Sequence, residues 1–235
     1  LLAELDMPAY KTASGDITNT PFLKYVAETG KPMLVSTGGA TMNDVQRAYD
    51  AILPINSQVC ILQCTSSYPA EPEDMNLRVI SSYREAFPDA VIGLSDHQNG
   101  IAMALVGYML GARVIEKHFT INRSWRGTDQ SFSLEPIGMR KLVRDLARTQ
   151  AALGDGVKRV MPSEKAPLFK LGKKLVAARD LPAHHALTRD DLAIKSPGDG
   201  VPPYHLDDVV GRTTARALQA DDDISFDNLQ DGHRG

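Results

Sequence analysis

Ala90-Val91-Ile92-Gly93-Leu94-Ser95-Asp96-His97 and Ala112-Arg113-Val114-Ile115-Glu116-Lys117-His118, separated by one helix-length segment from Gly100 to Leu110, decide how this chain is read. Each is a short apolar run that closes on polar residues and carries a histidine at its C-terminal end. Strand, helix, strand is the unit of a parallel α/β fold. In such folds the C-terminal strand ends lie together on the face that carries chemistry. Neighbouring strands are about 4.8 Å apart, so His97 and His118 are placed to share one metal ion.

Working outward, the same unit recurs. Five apolar, β-rich runs end in small or polar residues: Pro8–Ser14, Pro32–Thr37, Val59–Ser66, Ala90–His97 and Arg113–Thr120. Helical segments are expected at Thr18–Gly30, Met42–Leu53, Asn76–Phe87, Gly100–Gly111 and Pro136–Leu153. Continuous apolar strands alternating with helices predict a parallel sheet buried on both faces. A doubly wound sheet and a (β/α)8 barrel fit this alternation equally. Five strands do not close a barrel of eight, so either the sheet is open or three strands precede Leu1. The chain starts Leu1-Leu2-Ala3-Glu4-Leu5-Asp6 without an initiator methionine or the basic n-region of a signal peptide, and reads as beginning inside a domain.

Beyond Leu153 the pattern changes. Gly154–Lys170, with Pro162 and Pro167, reads as a linker, and short strand candidates follow at Lys174–Ala178, Leu192–Lys195 and Ala215–Ala217. Turns at Asp180-Leu181-Pro182, Ser196-Pro197-Gly198-Asp199-Gly200 and Asp221-Asp222-Asp223 separate them. The expected organisation is a catalytic unit over 1–156, a linker over 157–170 and a small, mostly β domain over 171–235.

Composition narrows the function class. With 43% hydrophobic residues the 235-residue chain can bury a substantial core. A net charge of −3 gives no electrostatic case for nucleic acid or an anionic membrane surface. No apolar run approaches the ~20 residues of a membrane span. Cys60 and Cys64 share a strand face but stand roughly 13 Å apart along it, too far for a disulfide. They read as two buried thiols in a reducing cytoplasm.

Strand alternation places Ser95 with His97 on one face, and Glu116 with His118 on one face. Two imidazoles with water and a substrate oxygen suit a divalent ion such as Mn²⁺, acting as a Lewis acid on a carbonyl. Two satisfied structural histidines are the plain alternative. A second group follows the earlier strands: Ser14-Gly15-Asp16, Ser36-Thr37-Gly38-Gly39-Ala40-Thr41 and Thr65-Ser66-Ser67-Tyr68. Hydroxyls and glycine amides ahead of a helix make a cradle for phosphate or carboxylate. Lys11, inside the first apolar run, requires an anionic partner. Ordinary turn chemistry and a structural ion pair are the competing reading. Asp129 reads on its own as a loop-capping carboxylate, and Trp125 and Phe132 as residues that pack the loop. His184, His185, His205 and His233 read as surface histidines, and Asp221–Asp223 as a solvated turn.

Taken together, these residues resemble the N-acetylneuraminate (sialic acid) synthase family. The resemblance rests on Tyr10-Lys11-Thr12-Ala13-Ser14-Gly15-Asp16, Ser36-Thr37-Gly38-Gly39, Gln63-Cys64-Thr65-Ser66-Ser67-Tyr68-Pro69, Gly93-Leu94-Ser95-Asp96-His97 and Glu116-Lys117-His118-Phe119-Thr120. Gly127-Thr128-Asp129 and Ser133-Leu134-Glu135-Pro136 continue it, and Ala177–Leu181, Leu187–Asp191 and Lys195–Gly198 extend it into an antifreeze-like (SAF) module.

The resemblance implies a TIM (β/α)8 barrel, of which about the last five βα units are present, followed by a β-clip SAF domain. It implies a transferase that condenses phosphoenolpyruvate with N-acetylmannosamine or a related N-acetyl sugar, giving a nine-carbon sialic acid and phosphate. His97 and His118 would hold the divalent metal, Mn²⁺ or else Mg²⁺ or Co²⁺. Lys11, Ser14, Ser36 and Ser95 would bind phosphoenolpyruvate, Tyr68 and Asp129 would contact the sugar, and Glu116 would manage protons or the attacking water. A cytoplasmic, domain-swapped homodimer is implied.

Two departures stand out. The first three barrel strands, which in the family supply an acidic residue and another phosphoenolpyruvate-binding lysine, have no counterpart here. Ser196, beside Lys195, stands where the family often has arginine before Pro-Gly. Legionaminic or pseudaminic acid synthesis is the nearest alternative, and a non-catalytic fragment or binding protein is the alternative from another class.

Overall fold

Five runs of apolar residues form one parallel sheet in the computed structural model, which describes residues 4–231. The strands are β1 (Tyr10–Thr12), β2 (Met33–Ser36), β3 (Val59–Cys64), β4 (Val91–Asp96) and β5 (Val114–Lys117). Helices α1 (Thr20–Ala27), α2 (Met42–Ile52), α3 (Val79–Ala86) and α4 (Ala102–Leu110) connect them, and α5 (Pro136–Ala152) follows β5. Every element lies where the apolar pattern predicts it, with ends trimmed by a few residues.

The strand order is β1-β2-β3-β4-β5. A doubly wound sheet reverses direction at a switch point. This one never does, so the ambiguity left by the alternation is resolved toward a singly wound, curled half-barrel. The curl has a direct witness. Laid flat, β1 and β5 would be about 19 Å apart, beyond the joint reach of a lysine and a glutamate. Yet Lys11 Nζ on β1 is 3.4 Å from Glu116 Oε2 on β5.

Alternation assigns the two faces. Met33 and Val35, Val59 and Ile61, and Ile92 and Leu94 pack against Leu23 and Val26 of α1, Val45, Ala48 and Ile52 of α2, and Ile80 and Tyr83 of α3. The concave face carries Lys11, Ser36, Leu62, Cys64, Gly93, Ser95 and Glu116. Gly93 is required there, because a Cβ would lie 2.4 Å from Leu62 Cδ2 and 2.6 Å from the Val114 carbonyl oxygen. Cys60 and Cys64 are free and buried.

The chain divides into two compact units, Leu1–Asp155 and Gly156–Gly235. In the second, β6 (Lys174–Ala177) pairs antiparallel with β7 (Leu192–Lys195), and β8 (Thr213–Thr214) with β9 (Leu229–Gln230). Leu175, Ala177, Leu181, Leu187, Val209, Leu218, Ile224 and Leu229 form its core; α7 (Leu206–Val209) contributes Val209.

Several expectations for this region need correction. The stretch read as a linker contains helix α6 (Lys165–Leu171). Pro167 lies in its first turn, where the missing N–H is not needed. The strand expected at Ala215–Ala217 is displaced to Thr213–Thr214, with Leu218 bridging Leu181. His184 is exposed, but His185 donates into buried Asp191 at 2.9 Å, and His205 is half-buried beside Phe226 and Asp208. His233 lies outside the described residues. The Asp221–Asp223 turn is not merely solvated, since Asp221 pairs with Lys195 and Asp223 with Lys174. Among the described residues no helix is long and apolar enough to cross a membrane.

Candidate active site

The site begins with the register of β4 on β5, which sets Ser95 opposite Glu116 and Asp96 opposite Lys117. The next residues along these strands are the two histidines. His97 is buried, and its Nδ1 lies 2.8 Å from the Thr65 carbonyl oxygen at the end of β3. A carbonyl only accepts, so Nδ1 carries the proton and Nε2 presents its lone pair. The Ser95 hydroxyl, 3.3 Å away, donates to it. Burial pushes the His97 pKa down, against the opposing pull of the Thr65 hydrogen bond, which favours the neutral ligand form.

His118 stands edge-on to His97, with ring centroids 5.1 Å apart. The chain beyond β5 folds back so that the Leu134 N–H donates to the His118 carbonyl and the Thr120 N–H to that of Leu134. This return brings Phe132 within 4.9 Å of the His118 ring and Asp129 Oδ2 within 3.3 Å of His118 Nδ1. Asp129 therefore orients an imidazole rather than capping its loop. Phe132 packs the loop as expected, whereas Trp125 is exposed. Tyr68 lays its ring on His97 at 4.3 Å while remaining half-exposed.

On the earlier strands, the Ser14 hydroxyl accepts from the Gly38 N–H at 3.0 Å and points at Cys64 Sγ at 3.4 Å. A Cβ on Gly38 would lie 2.1 Å from Ser66 Oγ and 2.8 Å from Ser14 Oγ. Glycine here is a matter of space: the backbone passes against two hydroxyls. Ser36 Oγ is buried with no protein partner. A buried hydroxyl without a protein partner is free to bond water or a ligand. Lys11 meets Glu116 across the concave face, so the ion-pair reading of this lysine applies to the protein as it stands. Glu116 Oε2 accepts no hydrogen bond.

The structure thus gathers His97, His118, Ser95, Glu116, Lys11, Tyr68 and Asp129 into one contact network at the C-terminal end of the sheet. Ser14 and Ser36 stand in the cradle formed by the first two βα turns. Two residues escaped the sequence reading. Asp96 and Lys117 form an ion pair of 3.1 Å with side chains 1% and 2% exposed. Opposite charges at matched positions of two adjacent runs are the signal that could have found them.

The donor set fits a divalent metal in a limited way. His97 offers a neutral Nε2, and His118 is oriented by a carboxylate on its other nitrogen, the usual outer-shell arrangement. Among the described residues there is no cluster of three or more His, Cys, Asp or Glu side chains arranged to hold a metal. Such an ion would rely on two imidazoles, with water and substrate completing its shell.

Known proteins resemble this one over its whole length. A model of the NeuB family matches residues 1–158 and one of the SAF domain matches residues 174–230. Human N-acetylneuraminate-9-phosphate synthase is 42% identical over 99% of this chain and 65% of its own length. The N,N'-diacetyllegionaminic acid synthase of Campylobacter jejuni is 33% identical over 94% of this chain and 67% of its own. The crystal structure of the spore coat polysaccharide biosynthesis protein SpsE of Bacillus subtilis superposes with a TM-score of 0.62 at 33% identity, covering 97% of this chain and 69% of that one. The chain thus spans about 65% of the length of the human relative. With the half-barrel sheet, the SAF unit and these matches in hand, the chain belongs to the NeuB family of sialic acid synthase-type proteins.

Proposed function

We propose that this chain carries the metal-and-acid half of a synthase that joins phosphoenolpyruvate to an N-acetyl sugar aldehyde. The observation that carries the reading is the pairing of a neutral, carbonyl-anchored His97 with His118 at 5.1 Å, beside the Glu116 carboxylate, whose Oε2 faces Lys11 at 3.4 Å. In the reaction, C3 of the enol forms the new bond to the aldehyde carbon, water adds to C2, and the C2–O bond to phosphate breaks. His97 and His118 would hold a divalent ion such as Mn²⁺, which when bound polarises the aldehyde oxygen.

The chain's own residues account for the remaining steps. Ser14, Ser36 and Ser95 present hydroxyls to the carboxylate and phosphate of phosphoenolpyruvate, and Lys11 exchanges Glu116 for that anion. Glu116, so released, takes one proton of the water that adds to C2 and passes it to the former aldehyde oxygen, which becomes a hydroxyl. The other water proton leaves with phosphate as the C2 carbonyl forms. Tyr68 offers a half-exposed ring and hydroxyl to the sugar, and Asp129 holds the His118 imidazole in place while facing the same ligand.

The half-barrel sheet would close on three further parallel βα units, and the SAF domain would act in a domain-swapped homodimer. A second acceptor class is supported by the identity to a legionaminic acid synthase and by Ser196, whose hydroxyl is taken by Lys173 at 2.7 Å. The test is phosphate release by a polypeptide carrying all eight strands. It would be supplied with phosphoenolpyruvate, Mn²⁺ and, in turn, N-acetylmannosamine, its 6-phosphate and the diacetylated sugars. Turnover with one acceptor is expected; no release with any of them would end the proposal.

A further inference from the structure

Asp96 and Lys117 lie between the site residues on β4 and β5 and face the opposite way, toward the helices. Asp96 Oδ2 meets Lys117 Nζ at 3.1 Å, and Asp96 Oδ1 accepts from the Gln98 N–H at 2.9 Å. Lys117 Nζ donates to the Gln98 carbonyl at 2.5 Å. The residue after His97 is therefore gripped at both its backbone N–H and its carbonyl. One grip comes from the residue before His97. The other comes from the residue that separates Glu116 from His118.

This pair has no evident value as burial. Its neighbours on the same face are apolar, Leu94 within the helix-packed core and Ile115 partly buried against it. A buried ion pair at such a place is often no more stabilising than two apolar residues of equal size, and its best-attested use is to fix register. Here the register it fixes is that of the two strand ends bearing the histidines.

We propose that Asp96 and Lys117 are positioning residues that set the separation and orientation of His97 and His118 from behind the sheet. The inference rests on the metal-pair reading for one of its two readouts and is independent of it for the other.

The test uses the full chain with ¹⁵N-labelled histidine and three variants: Lys117→Met, Asp96→Asn, and the neutral pair carrying both changes. Mn²⁺ alone is titrated and followed by electron paramagnetic resonance of the free ion. The ring-nitrogen signals of His97 and His118 are recorded without metal, and melting temperature is recorded alongside. We expect each foldable variant to displace both ring signals and to weaken Mn²⁺ binding at least tenfold. The neutral pair should do so even where its melting temperature returns to that of the parent. Where the single variants do not fold, the neutral pair decides. A neutral pair with parental ring signals and Mn²⁺ affinity within twofold overturns the inference, leaving the ion pair a purely structural feature. A parent that binds no Mn²⁺ defeats the metal reading instead. The ring signals then decide alone: displaced signals support positioning and unmoved ones overturn it.

Discussion

Gly38 shows how little room the proposed anion cradle leaves. Its Cα passes so close to Ser14 and Ser66 that a methyl group would displace their hydroxyls, which rotate easily, rather than backbone. Gly38→Ala should therefore spare the fold and strike the ligand. For the proposed synthase, on a polypeptide carrying all eight strands, KM for phosphoenolpyruvate should rise about tenfold, the scale of one or two hydrogen bonds, with the sugar KM unchanged; steady-state kinetics in each substrate would check this. Asp191 poses the opposite case, a residue that serves stability. Burial alone would raise its pKa, but the side chains of Thr188 and His185, the Thr188 N–H and Arg179 hold the carboxyl well below the usual range. A group depressed in the folded state contributes its stability fully above its unfolded pKa of about 3.9 and loses it as pH falls through the folded value. The SAF unit should thus lose stability progressively as pH falls below about 3.9. Asp191→Asn should cost about 3 kcal/mol, as when one member of a buried charged network is lost. Hydrogen exchange over residues 174–230 would report both.

At the scale of elements, strands and helices were legible because most helix-facing strand residues are apolar and the turns are punctuated. Strand order was not, since an alternating pattern is the same for a switching and a sequential sheet; only the pairing β1-β2-β3-β4-β5 distinguishes them. Helix α6 was hidden because Pro167 reads as a breaker until it is known to lie in a first turn. The site was legible as residue types at strand ends. What stayed hidden were partners made by the main chain, such as the Thr65 carbonyl on His97, and the Asp96–Lys117 pair, placed where alternation predicts apolar side chains. Gly93 couples element to site. A Cβ there meets the Val114 backbone at 2.6 Å, and a carbonyl cannot rotate away. Gly93→Ala should push β5 from β4, destabilise the unit by about 1–3 kcal/mol as overpacked cores do, and disturb His97 and His118 together. Denaturant melts and the histidine spectra of one preparation would test both effects.

At the scale of the molecule, β1 and β5 are the edge strands of the half-barrel among the described residues, and open edges invite further strands. The 235-residue chain on its own should self-associate with rising concentration in sedimentation experiments, and a longer polypeptide supplying three more βα units should suppress this. The Lys11–Glu116 contact has a kinetic consequence as well. It joins residues far apart in sequence across the hollow of the sheet, so the chain must close a long loop before the contact can form. Neighbouring βα units dock at far shorter range, one after another. The bridge across the hollow should then belong to the last stage of folding and be absent from the transition state. Lys11→Met should leave the refolding rate in place and speed unfolding about threefold, as expected for a half-exposed pair worth under about 1 kcal/mol. By this reckoning, the lysine proposed to meet a substrate anion is also a latch that the chain fastens only after the rest of the sheet has curled.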